Sequence, residues 1–115
     1  MNNELEKTST VVMLGEVQTT LGLSRRELAQ MFGVSRSTVS RWRRDVKPSE
    51  KHFQTLVTSY QETQLLKAIL NSERLLDVIR RPAEIFEGSR ALDLILKGGL
   101  ERVRVAYDET TRYMG

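Results

Sequence analysis

A chain of 115 residues is the size of one compact domain, or of two very small lobes sharing a linker, which excludes a large multidomain enzyme. At this length folding buries about two-thirds of the surface the unfolded chain exposes, so a core forms without staples. With no Cys and a lone His52, disulfides, thiol nucleophiles and a structural zinc site are not expected, and apolar and charged fractions of 39% and 29% with a net charge of +3 describe a globular protein and not a disordered tail.

The apolar runs at 11–14 and 94–96 fall far short of the ~20 residues that cross a bilayer. Residues 1–7 place no basic start before an apolar stretch, so neither a signal peptide nor a membrane span is expected, and a cytoplasmic protein is. Proline occurs only at positions 48 and 82, and paired turn glycines are few. Long helical segments fit that pattern better than many short strands, and the expected class is all-α.

Residues 1–8 are polar and uncapped and read as a flexible arm. From Ser9 as N-cap, Val11, Leu14, Val17 and Leu21 recur at three- or four-residue spacing, which lays an apolar stripe along a first helix that Gly22 ends. Ser24 opens a second helix with Glu27 three residues on, the reciprocal capping box, and Leu28 and Phe32 face inward. Gly33 supplies a left-handed turn, and Ser35 caps a third helix from Arg36 to about Asp45, closed by Lys47 and Pro48.

Ser49 caps a fourth helix that reaches Leu70. Phe53, Leu56, Val57 and Tyr60 form one stripe, and Leu65, Leu66, Ile69 and Leu70 continue it at a shifted angle. Its length of about twenty residues exceeds what a small lobe needs, so it either connects two lobes or offers a second apolar face to another subunit. Shorter helices are expected at 73–80, 82–86, 90–97 and 100–112, with Pro82 at a first helical position, Ser89 as an N-cap and Gly98 just past a C-terminus. The organisation expected is an arm over 1–8, a helix-turn-helix domain over 9–47, a connecting or dimerisation helix over 48–71 and a helical lobe over 72–115.

The charge is uneven along the chain. Residues 24–47 hold Arg25, Arg26, Arg36, Arg41, Arg43, Arg44 and Lys47 against Glu27 and Asp45, a net +5, and the remainder carries −2. A basic segment on a mildly acidic body suits a polyanion, because phosphate contacts supply most sequence-independent affinity for DNA. A solvated helix face would show the same charge.

Spacing separates the two readings. The segment LSRRELAQMFGVSRSTVSRWRR, residues 23–44, resembles the helix-turn-helix of Xre/Cro-type bacterial and phage repressors. Ala29 is the small residue at the helix crossing, Gly33 makes the turn, and Leu28, Phe32, Val34, Val39 and Trp42 take the inward positions. Stepping 100° per residue places Val39 and Trp42 toward the core and Ser37, Ser40, Arg41 and Arg44 opposite them. The DNA-contacting set expected is Arg25, Ser35, Arg36, Ser37, Thr38, Ser40, Arg41, Arg43 and Arg44. Arg36, Ser37 and Arg41 are placed for base edges, with guanine the natural partner of arginine; Arg25, Arg43 and Arg44 are placed for phosphates. Trp42 is read as core, Lys47 and Lys51 as solvated, and His52 as partly exposed and idle, with a pH-sensitive group the alternative. Double-stranded operator DNA of palindromic form, bound by at least a dimer, is the partner this implies.

A second resemblance runs from about Leu66 to Asp108. An apolar segment before Pro82, then Ile85 and Phe86, Gly88, the Leu92-Asp93-Leu94-Ile95 block, Gly98, and Glu101-Arg102-Val103 follow in an order similar to the carboxyl-terminal domain of MbcA/ParS/Xre-type antitoxins. The resemblance implies a short helical protein that represses its own operon and binds, through this half, a RES-domain toxin that consumes NAD, as a homodimer or in a toxin–antitoxin hetero-oligomer. Leu92, Ile95, Leu96, Val103 and Tyr107 read first as core, and partner contacts are expected at the chain end, at Tyr107, Thr111, Tyr113 and Met114. Glu84, Glu87, Asp93 and Asp108 have no His or Cys partner and no phosphate-cradling loop follows a strand, so no catalytic residue, metal or cofactor is expected. The alternatives are a phage or chromosomal repressor without a toxin and, more distantly, a DNA-binding subunit of a recombination or packaging machine.

Overall fold

The computed structural model describes residues 3–114, with side chains described from 10 to 112. Among the described residues seven α-helices follow one another: α1 (Asn3–Leu21), α2 (Arg25–Phe32), α3 (Arg36–Arg43), α4 (Glu50–Ile69), α5 (Ser72–Val78), α6 (Ala91–Leu96) and α7 (Leu100–Met114), with a 3-10 turn at Glu84–Phe86. Among the described residues there is no strand beyond one isolated antiparallel bridge between Pro82 and Arg90. The chain is all-α, as its sparse prolines and helical periodicities imply. No described helix is long and apolar enough to cross a membrane.

The helix α4 is the spine. One side packs on α1 and another on α7, α2 bridges α3 and α6, and α6 closes on α7. Both halves of the chain contribute to one buried cluster: Leu14, Val17, Leu28 and Val39 from the first, Leu75, Ile79, Ile95 and Val103 from the second, with Leu56 and Leu66 of α4 between them. The apolar angle of α4 shifts along its length because it serves two neighbours within its own chain. Leu65 of the expected stripe stays exposed.

Two expectations for α1 are corrected. The helix begins at Asn3 and not after a Ser9 cap, so the arm expected over 1–8 is helical from its third residue; Met1 and Asn2 lie outside the described residues. Neither Pro nor Gly interrupts residues 3–14, so nothing in the sequence breaks the helix before Gly15. The buried stripe is Thr10, Met13, Leu14, Val17 and Leu21, whereas Val11 is exposed. Thr10 takes the position that periodicity alone gives to its apolar neighbour.

The turn from α1 to α2 is fastened by the second half of the chain. The Arg80 guanidinium donates to the carbonyls of Leu21 (3.1 Å), Gly22 (2.7 Å) and Leu76 (3.0 Å), satisfying acceptors that a helix end leaves orphaned. Gly22 has φ +63°, and a Cβ there would lie 2.7 Å from Leu76 Cδ2 and 3.1 Å from Arg80 Nη2. Gly22→Ala combines a left-handed backbone with that crowding and is expected to cost about 1–2 kcal/mol, read as a lowered urea midpoint at unchanged slope. An unchanged midpoint would show that the turn relaxes freely.

Short segments near α6 also depart from expectation. Of the helix expected over 82–86 only a 3-10 turn at Glu84–Phe86 forms: Pro82 bridges to Arg90, and the Ala83 N–H donates to the Ser89 carbonyl at 3.1 Å, which closes the segment on itself. The α6 cap is Arg90 and not Ser89: Asp93 accepts the Arg90 backbone N–H at 3.1 Å and its guanidinium at 2.7 Å. That guanidinium holds the Asp93 carboxyl below the usual carboxylate range.

Candidate nucleic-acid interface

Local chemistry fixes the helix pair. Ser24 Oγ accepts the Glu27 N–H at 3.1 Å while Glu27 Oε1 accepts the Ser24 N–H at 2.9 Å, the expected capping box at the start of α2. Gly33 ends α2 at φ +66°, and its N–H and that of Val34 return to Gln30 and Ala29 carbonyls. Ser35 caps α3 by accepting the Thr38 N–H at 3.1 Å. Leu28, Ala29, Phe32, Val39 and Trp42 are buried, and Val34 packs partly buried against them. Phe32 meets Trp42 edge to face, centroids 5.9 Å apart, which holds the two helices at their crossing.

With Val39 and Trp42 inward, α3 presents its remaining residues outward. Arg36, Ser37, Arg41, Arg43 and Arg44 are exposed, Thr38 and Ser40 half-buried, and Arg25 is exposed at the start of α2. Arg41 donates to Thr38 Oγ1 at 3.3 Å, and that oxygen lies 2.9 Å from Ser35 Oγ, so a line of hydroxyls braces the Arg41 guanidinium against the helix start. The Ser35 hydroxyl is committed to capping. Arg41 and Arg43 occupy the last turn of α3, where cations complement the helix dipole.

His52, expected from sequence to be partly exposed and idle, is half-buried but engaged by two neighbours. Its half-buried ring leans on Trp42, centroids 5.5 Å apart with the planes 50° from each other, and Nδ1 lies 3.0 Å from the hydroxyl of Ser49, the α4 N-cap. The signal for this was weak: His52 stands ten residues after Trp42, and only the turn at 44–49 brings the two together. An open cleft of about 490 Å³ runs between α3 and the start of α4, bounded by Thr38, Arg41, Trp42, Val46, Ser49 and His52 among others.

The expected partner face at the chain end divides. Tyr107 is buried, its ring edge to face with Phe86 at 5.6 Å, and burial pushes its hydroxyl pKa up. It belongs to the interior of the second half and not to a contact surface. Thr111 is exposed, and the side chains of Tyr113 and Met114 lie outside those described.

Residues 6–49 match the homeodomain-like domain family. In fold the chain is similar to a chain of the crystal structure of the M. tuberculosis MbcT–MbcA toxin–antitoxin complex, with a TM-score of 0.67 and 21% identity over 91% of this chain and 96% of that one. No curated protein matches the chain in sequence.

Proposed function

We propose that this chain is an MbcA-type antitoxin that binds operator DNA through α3 and restrains a toxin through its carboxyl-terminal half. The observation that carries the DNA-binding part is the outward face of α3: Arg36, Arg41, Arg43 and Arg44, all exposed, on a helix whose opposite face is locked by Val39 and Trp42. Such a helix enters a major groove, where Arg36, Ser37 and Arg41 reach base edges while Arg25, Arg43 and Arg44 grip phosphates and set the register. The fold shared with a chain of the MbcT–MbcA complex supports the second part. The resemblance of residues 66–108 to the antitoxin family makes a RES-type, NAD-consuming toxin the partner to test first. One short recognition helix reads too few base pairs for specificity, so two copies act on a palindromic operator.

With an operator obtained by selection from random duplexes, Arg41→Ala costs about 1–3 kcal/mol and relaxes preference at one base pair. Arg44→Ala weakens all sequences nearly equally and lowers the salt slope by about one. Unchanged affinity and equal slopes in both variants would remove α3 from the groove. For the partner, co-expression with the product of the adjacent gene decides: a protein harmless alone, or no complex on co-purification, leaves a stand-alone repressor in place of the antitoxin.

A further inference from the structure

We infer that the cleft between α3 and α4 seats one sugar–phosphate unit of the bound duplex, with His52 as its donor on the α4 wall. This rests on the DNA-binding reading above and extends the contact surface beyond the recognition helix to residues the motif does not contain. The lining is mixed in the way a sugar–phosphate backbone requires. Val34, Trp42, Val46 and Pro48 form an apolar side, with Val46 49% exposed and able to cover a deoxyribose, while Arg41, Lys47, Ser49 and His52 supply polar and cationic groups. No carboxylate is among the residues described as lining it. A bare anion pocket has no use for the apolar side, and a site for an uncharged ligand has none for the cations. Arg41 belongs both to this cleft and to the outward face of α3, so a duplex docked on α3 runs past the cleft mouth.

The hydrogen bonds of His52 set its role. Ser49 Oγ accepts the His52 backbone N–H at 3.3 Å and lies 3.0 Å from Nδ1, so that side of the ring is engaged by the α4 cap. We assign the tautomer in which Nδ1 accepts from Ser49 and Nε2 carries the proton, an N–H donor on the far side of the ring from Ser49. Packing against Trp42 fixes the plane of the ring, so this donor is held in place before DNA arrives.

The test uses the full chain, a mixed-sequence duplex of about 30 bp at low ionic strength, where phosphate contacts dominate affinity, and the variants His52→Leu, His52→Gln and Arg44→Ala. Leu keeps apolar packing on Trp42 and removes the donor; Gln keeps an N–H donor near the Nε2 position. His52→Leu is expected to weaken binding about three- to tenfold, the worth of one hydrogen bond, and His52→Gln to stay within about twofold of the parent. Equal affinity of the parent, His52→Leu and His52→Gln, or equal weakening by Leu and Gln, overturns the assignment, the latter because packing alone would then explain it. Trp42, the single tryptophan, reports on the cleft by fluorescence. A response to inorganic phosphate as large as that to the duplex means a free-anion pocket and also overturns it. Arg44→Ala separates the two levels of failure. If the parent binds and Arg44→Ala weakens it while His52→Leu does not, this inference fails alone; if the parent binds no duplex, the DNA-binding reading fails and takes this one with it.

Discussion

Glu62→Ala is expected to destabilise the protein by about 2–3 kcal/mol, lowering the thermal midpoint by about 10 °C. Glu62 lies on the α4 face turned toward α7, 9% exposed, and its carboxylate takes both arms of the Arg104 guanidinium, Nε at 2.5 Å and Nη2 at 3.1 Å. The pair joins the two helices that clamp the second half of the chain, and hydrogen bonding to Glu62 raises the Arg104 pKa further. Removing the carboxylate strands a guanidinium whose side chain is only 21% exposed. Breaking a fully buried pair in this way costs about 3–5 kcal/mol; the partial exposure of Arg104 lets water recover some of that. The double change Glu62→Met with Arg104→Leu should regain most of the loss, because it strands neither charge. A single-variant loss below about 0.5 kcal/mol, the scale of an exposed pair, would make this contact ornamental.

Nothing around Glu62 in the sequence announces its burial. It lies among Ser59, Tyr60, Gln61 and Thr63, and a reader of periodicity gives the inward positions to Val57, Tyr60 and Leu65. The buried line is Leu56, Ser59, Glu62, Thr63 and Leu66, with Leu65 left 48% exposed. Thr63 tolerates burial by donating to the Ser59 carbonyl at 2.7 Å, and Glu62 by its pairing with Arg104, forty-two residues away. The helix-turn-helix was legible for the opposite reason. Ser24 with Glu27, Gly33 with the Ala29 and Gln30 carbonyls, and Ser35 with Thr38 all interact within five residues, so the chemistry that starts and stops these helices is visible in a short window. The cleft at His52 falls between these cases: each wall is local, and their meeting depends on how the 44–49 turn sets α4 against α3.

The depth of Tyr107 alters how partner binding at the chain end is to be separated from DNA binding. Deleting residues 107–115 would strip the ring that packs against Phe86 and the last two turns of α7, a helix that packs on α4 and α6. Loss of a buried aromatic side chain alone costs about 3–5 kcal/mol, and α4 also supports the recognition helix through the shared core, so this deletion is expected to abolish DNA binding along with everything else. A deletion confined to 111–115 removes the exposed Thr111 and Arg112, whose surface pairing with Asp108 contributes well under 1 kcal/mol, together with Tyr113 and Met114. The shorter protein should melt within about 2 °C of the parent, since loss of exposed side chains such as Thr111 and Arg112 rarely exceeds about 0.5 kcal/mol, and should bind the operator within about twofold. Its power to neutralise a co-expressed toxin should fall sharply, because three of the four partner contacts expected from the sequence, Thr111, Tyr113 and Met114, go with it. The converse variant, Arg36→Ala with Arg41→Ala, should derepress the operon and still protect cells. Full neutralisation by the 1–110 chain would move the partner surface off the tail and onto the exposed faces of α5 and the 82–90 segment, where Leu76 and Ile85 are 41% and 45% exposed.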